Sequence, residues 1–216
     1  MREVILVRHG HAASNAEDTV SSSPPGAGLS EQGVEEALEL RETLAYDPID
    51  LAVASRFART QQTLELALGD RRVDRMVMAS FDEIDFGSFD GGPLVDYRIW
   101  AWTHAPDDDC PGGGESRTAA AVRFAGALDQ ILARKEARIM VVSHALPLRY
   151  VIDASDGRFP ASRIDHVDHA VPIVLAADAI ERAAVTLRDW ALAPRFTDWE
   201  DGIAPDLDVG DLDRGR

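Results

Sequence analysis

The chain of 216 residues has one cysteine, Cys110, which excludes an intrachain disulfide framework. A lone thiol beside Asp107, Asp108 and Asp109 is a weak basis for a metal centre, and the tract reads as a solvated acidic loop. No apolar run approaches the roughly 20 residues that a membrane span requires. The opening Met-Arg-Glu-Val-Ile-Leu-Val-Arg has no long apolar region and no cleavage site of a signal peptide. Positive charge is scarce, with 22 basic against 38 acidic residues and a formal net charge of −16. That balance argues against general binding to nucleic acid or to an anionic membrane, yet it leaves room for a local basic pocket. These absences predict a reducing, cytoplasmic setting and one domain large enough to close a core without staples.

What is present is an alternation of short apolar runs and helical patterns. Val4 to Val7 reads as a buried strand ending in Arg8-His9-Gly10. Ser30 is placed to cap a helix carrying Val34, Ala37, Leu38 and Leu44. Leu51 to Ser55 is a second strand, Arg59 to Leu68 a helix, and Arg72 to Met78 a weaker strand. Residues 81–114 carry Gly, Pro and Asp throughout and read as an irregular cap. Ser116 to Arg134 is a long amphipathic helix. Ile139 to Val142 is the clearest buried strand, ending in Ser143-His144, with a helix from about Pro147 to Ala154. Val171 to Ala176 and Val185 to Leu192 read as late strands that could pair as a hairpin, with Val185–Leu192 free to pair with a neighbouring copy in a homodimer. The alternation predicts an α/β fold, three layers of α/β/α around a mostly parallel sheet. Residues 1–193 form the expected catalytic domain, and 194–216 a peripheral acidic tail.

Ligands of parallel sheets bind beyond the carboxyl ends of the strands. His9, the Ser55–Arg59 segment and His144 all follow predicted strand ends, so they can meet. Arginine offers a fork matched to phosphate oxygens, and neutral histidine is a nucleophile. Arg59 falls in the first turn of a helix, where anions are favoured. In Asp82-Glu83-Ile84-Asp85-Phe86-Gly87, a carboxylate between apolar neighbours would hold a raised pKa suited to a general acid. Taken singly, each feature also admits a plain reading: a solvated arginine, a core histidine, a surface helix start, a loop acid.

As a set, these residues resemble the histidine phosphatase superfamily, the phosphoglycerate mutase-like proteins. Arg8-His9-Gly10 is followed by Asn15, then by Leu29-Ser30-Glu31-Gln32-Gly33 with Ala37. Ser55, Arg59, Gln62 and Thr63 come next, then Glu83 with Gly87, Gly113-Gly114-Glu115-Ser116, and Val142-Ser143-His144. The resemblance spans about residues 3–150. It implies a phosphohistidine on His9, a phosphoryl group held by Arg8, Asn15, Arg59, His144 and the backbone of Ala145, and Glu83 as acid and base. It implies no cofactor and no metal, and as substrate a small phosphate ester.

The departures leave the catalytic side chains untouched. His11 stands where many relatives have Glu or Gln, and Arg56 where Pro is common. Ala145-Leu146 replaces Gly-Gly, and Phe89-Asp90-Gly91 replaces Trp-Glu-Gly. Between Pro93 and Gly114 the one basic residue is Arg98. A second phosphate would find little to bind there, which favours a phosphatase over a phosphoglycerate-type mutase; the presence of nucleophile, arginines and acid together disfavours a non-catalytic phospho-ligand binder. If the cap covers the pocket, Tyr97, Trp100 and Trp102 predict an apolar, aromatic or cationic leaving group.

Overall fold

A computed structural model describes residues 1–200. Its sheet has five strands, β1 (Glu3–Arg8), β2 (Leu51–Ala54), β3 (Asp74–Val77), β4 (Arg138–Ser143) and β5 (Pro172–Ala176), in the order β3-β2-β4-β1-β5. The first four are mutually parallel, and β5 runs antiparallel to β1. The central strands are apolar at consecutive positions because both faces of the sheet are covered. Side chains alternate between those faces. Ile5, Val7, Ala52, Ala54, Met140 and Val142 pack under the helices α2 (Glu31–Thr43) and α3 (Ala58–Leu68), which follow the short α1 (Ala13–Ala16). Val4, Leu6, Leu51, Val53, Ile139 and Val141 face the opposite layer. That layer holds α5 (Arg117–Leu132), α6 (Ala145–Ser155) and α7 (Ala177–Leu192). The three-layer α/β/α architecture is therefore as the alternation predicts. Ser30 and Ser116 cap α2 and α5, accepting from the N–H groups of Gly33 and Ala119.

Three expectations need correction. Val185–Leu192 is the second half of α7, not a strand. Ile180, Ala183, Ala184, Leu187 and Trp190 are its buried residues, spaced for one helical face. The expected hairpin is replaced by the pairing of β5 with β1, and the edge proposed for a homodimer does not exist. The cap, second, is not wholly irregular. It contains the helix α4 (Leu94–Thr103), apolar on nearly every side and so without the polar stripe that marks a surface helix. Third, the start of the acidic tail is packed. Phe196 is buried, Trp190 Nε1 donates to the Arg195 carbonyl, and the Asp198 carboxylate accepts from the N–H and hydroxyl of Ser162. The remainder of the tail, 201–216, lies outside the described residues. Among the described residues no helix is long and apolar enough to cross a membrane.

Candidate active site

The strand order dictates the meeting point. β4 lies between β2 and β1, with Arg8 opposite Ser143 and Ala54 opposite Val142. The residues just past these ends, His9, Ser55 and His144, are thereby neighbours. The loop after β1 is held by close backbone contact. A Cβ on Gly10 would stand 2.5 Å from the Gly33 carbonyl oxygen, and one on Gly33 would stand 2.0 Å from that of His11. Both positions must be glycine, so α2 abuts the loop without an intervening side chain. The Gly10 N–H donates to Thr63 Oγ1 at 2.9 Å, which ties the same loop to α3.

His9 is nearly sealed from solvent. Its Nδ1 lies 2.7 Å from the Gly10 carbonyl and its Nε2 accepts from Arg59 Nε at 3.1 Å. A carbonyl accepts and a guanidinium donates, so these partners assign the proton to Nδ1 and the accepting lone pair to Nε2. Burial, then the positive charge of Arg59, hold the His9 pKa well below its ordinary value of 6.5. His144 is assigned by the same logic. Its Nδ1 accepts from Arg59 Nη2 at 3.1 Å, leaving Nε2–H to donate to Ser55 Oγ at 2.9 Å. The Ser55 hydroxyl donates in turn to Thr60 Oγ1 at 2.8 Å, and Thr60 donates to the Phe57 carbonyl at 2.8 Å. Burial and Arg59 lower the His144 pKa as well.

Arg8 and Arg59 flank this pair. Arg8 Nη1 donates to the Val167 carbonyl at 2.7 Å, while its buried Nε has no hydrogen-bond partner among the described residues. Arg59 Nη2 also donates to the Ser21 carbonyl at 3.0 Å, and its guanidinium lies 4.3 Å from the Phe57 ring centre. Burial lowers both arginine pKa values to about 10, so both stay charged at neutral pH. Asn15 Oδ1 accepts from the Ala12 N–H, and Asn15 and Ala145 both line the cavity. Ala145 opens α6, where N–H groups have no helical acceptor.

The three neighbouring acids Asp82, Glu83 and Asp85 separate clearly. Asp82 is taken up by Arg56, whose backbone N–H and Nε donate to it at 2.8 and 2.6 Å. Asp85 is exposed and accepts from the Gly87 N–H. Glu83 lines the cavity, and burial raises its pKa against the opposing pull of Arg59. Its backbone is gripped by Arg123, which donates to the carbonyls of Ser80, Asp82 and Glu83 and pairs with Glu115 at 2.6 Å.

Arg8, Asn15, Arg59, Glu83 and Ala145 border one cavity of about 410 Å³, and His9 and His144 lie buried behind them. Its other wall comes from the cap and from the segment before β5. Tyr97 and Trp102 line it; Trp100 does not, stacking on His104 instead. Leu146, in place of the common glycine, lines it too. Sequence reasoning missed Arg117, Arg163 and the residues from Asp165 to Val167 on this wall. It also missed His169, whose Nδ1 lies 2.7 Å from the His9 carbonyl. The scarcity of cations between Pro93 and Gly114 is therefore a poor guide to the pocket, because Arg117 and Arg163 enter from outside that stretch. Cys110 is buried, and burial pushes its thiol up to about 12.

The chain belongs to the histidine phosphatase superfamily (branch 1), which matches residues 4–188. Among its relatives is the adenosylcobalamin/alpha-ribazole phosphatase of Escherichia coli, 28% identical over 176 residues, covering 74% of this chain and 82% of that protein. A probable phosphoglycerate mutase of Proteus mirabilis is 30% identical over 158 residues, covering 68% and 72%. The crystal structure of the alpha-ribazole phosphatase from Shigella flexneri superposes with a TM-score of 0.71 at 25% identity, covering 80% of this chain and 89% of that one. The family thus contains both phosphatases and mutases.

Proposed function

We propose that this protein is a metal-independent phosphomonoesterase that works through a phosphohistidine on His9. The observation that carries this reading is the unprotonated Nε2 of a neutral His9, held by Arg59, which lines the same cavity as a protonatable Glu83. Phosphoryl transfer asks chiefly for positioning and for charge on the equatorial oxygens. Arg8, Arg59, His144, Asn15 and the Ala145 N–H supply the donors. The incoming phosphate takes over the Arg59 Nε–H that His9 now accepts, which releases the lone pair for attack.

His9 Nε2 forms a bond to phosphorus as the bond to the ester oxygen breaks. Glu83 gives its proton to that leaving oxygen. In the second half, the Glu83 carboxylate takes a proton from water, which attacks phosphorus, and the P–N bond returns its electron pair to His9. Arginines neutralise the charge that a metal neutralises elsewhere. A small soluble ester fits the cavity and the overall acidic charge, and a cytoplasmic setting fits the lone buried thiol.

The test is phosphate release from a broad phosphomonoester panel with EDTA present, wild type against His9→Ala. Turnover that survives EDTA and vanishes in the variant is the expected result. Silence on every ester would sink the phosphatase. The mutase reading has one observation in its favour, the extra arginines of the cap wall, and exchange of phosphate between sugar-phosphate positions would then be measured.

A further inference from the structure

The His9–Gly10 peptide is held at both of its polar ends by side chains. Its N–H donates to Thr63 Oγ1 at 2.9 Å, and Thr63 Oγ1 donates in turn to the Arg59 carbonyl at 2.7 Å. Its carbonyl lies 2.7 Å from His169 Nδ1. A carbonyl only accepts, so Nδ1 of His169 carries a proton and is the donor. Neither Thr63 nor His169 has a part in the phosphoryl transfer itself. The orientation of this peptide nevertheless bears on the nucleophile. A peptide is planar, so gripping both ends fixes the last backbone torsion of His9 and the direction in which the chain enters Gly10. The Gly10 carbonyl is what His9 Nδ1–H donates to, at 2.7 Å. If that carbonyl swung away, the proton would no longer be held on Nδ1, and a proton on Nε2 would occupy the lone pair that attacks phosphorus.

His169 is delivered by a segment built around the same catalytic dipeptide. The Val167 carbonyl accepts from Arg8 Nη1 at 2.7 Å, and the Ala170 N–H donates to the Arg8 carbonyl at 2.9 Å. Ala170 has a φ of 52°, a left-handed conformation that is unfavourable for a residue with a β-carbon. It sits where the chain changes direction, between a parallel bridge of His169 to Arg8 and the antiparallel pairing that starts at Pro172. Backbone strain of this kind clusters at functional sites. Here it accompanies the placing of an imidazole against the His9 carbonyl. Arg163 to Val167 line the cavity, whereas His169 is turned to the nucleophile. Burial, then Arg8, lower the His169 pKa to about 4, so at neutral pH it adds no positive charge beside His9.

We propose that His169 is a positioning residue for the nucleophile: its Nδ1–H holds the His9 carbonyl while Thr63 holds the Gly10 N–H, and together they keep His9 Nε2 aimed and unprotonated. This rests on the phosphatase reading. The experiment compares His169→Asn with His169→Leu. The two replacements match in size, but Asn keeps an N–H donor near the place of Nδ1 and Leu has none. For each protein kcat and KM are measured on 4-nitrophenyl phosphate, and the affinities for orthovanadate and inorganic phosphate by calorimetry. Vanadate accepts a fifth ligand from an aimed Nε2, as phosphorus does in the transition state; phosphate stays tetrahedral. His169→Leu should lower kcat by about ten- to a hundredfold, the effect of a small misplacement, with KM changed by less than about twofold. It should weaken vanadate by a similar factor and leave phosphate binding as it is, and His169→Asn should recover most of both losses. An unchanged kcat in His169→Leu would overturn the proposal. So would equal weakening of vanadate and phosphate, the mark of a site merely disordered, or an Asn variant as poor as Leu. If His169→Leu does not fold, His169→Asp takes its place, since it matches Asn in size and lacks the N–H. No ester turnover by wild type would remove the phosphatase reading, and the ratio of vanadate to phosphate affinity would still decide the role of His169.

Discussion

The cavity has two walls built in different ways. The phosphate wall is assembled from strand ends and the turns after them, where backbone hydrogen bonds and two facing glycines leave little to adjust. The cap wall is assembled from side chains of α4, the first turn of α5 and the segment before β5, with ring and guanidinium contacts between them. The contrast divides chemistry from choice of substrate. Rigid strands fix the reacting atoms, whereas side chains on helices and loops set what else fits.

The largest effect should come from His9→Ala, which is expected to lower kcat by more than about a thousandfold, as loss of a covalent nucleophile does. A residual rate near wild type would place the chemistry elsewhere. Glu83→Gln should cost about 10²–10⁴-fold in kcat. The sign of its pH effect follows from the shifts. His9 must be neutral, and its lowered pKa puts the acid limb of the kcat/KM profile below pH 6.5. Glu83 must be protonated for the first step, and its raised pKa puts the alkaline limb above pH 4.5. The variant should lose that alkaline limb; a profile of unchanged shape would argue against Glu83 as the acid.

Ser55→Ala removes the acceptor of His144 Nε2–H and strands a buried donor. A fall of about five- to a hundredfold in kcat/KM is expected. On the cap wall, Trp102→Ala should act mainly on KM, by about tenfold or less and unevenly across esters. An equal loss in kcat for all esters would break the proposed division between the walls. The smallest effect is on stability. His169 has its pKa lowered to about 4, chiefly by burial and then by Arg8. Between pH 6.5 and 4 the unfolded chain binds the proton that folded His169 refuses, so stability falls as pH drops through that window. His9 and His144 add to the same trend. Thermal melts of His169→Gln should show a shallower loss than wild type over that range.

The same two walls explain what the sequence made legible. Buried parallel strands leave continuous apolar runs, and the residues that follow them are placed by topology, so Arg8, His9, Ser55 and His144 could be brought together from spacing and motif. Ser30 was readable as a cap because capping is local. The cap wall offers no such rule. An arginine at the start of a helix, such as Arg117, reads as surface charge, and only packing against Tyr97 and Tyr150 reveals its burial. The α4 helix hid because Leu94, Tyr97, Trp100 and Trp102 spread around it instead of forming a stripe. Val185–Leu192 misled because Val185 and Leu187, read two apart, mimic a strand, although the longer run from Ile180 has helical spacing.

The seam between Gly10 and Gly33 bears on how such a protein can change over time. A methyl group added at either position would strike a backbone carbonyl, so no neighbouring side chain can give way to accept it. Variation that passes through this seam must displace the nucleophile itself, and drift toward new substrates is confined to the wall across the cavity. A laboratory selection for a different ester should therefore gather its substitutions in α4, at the start of α5 and before β5, and leave both glycines untouched.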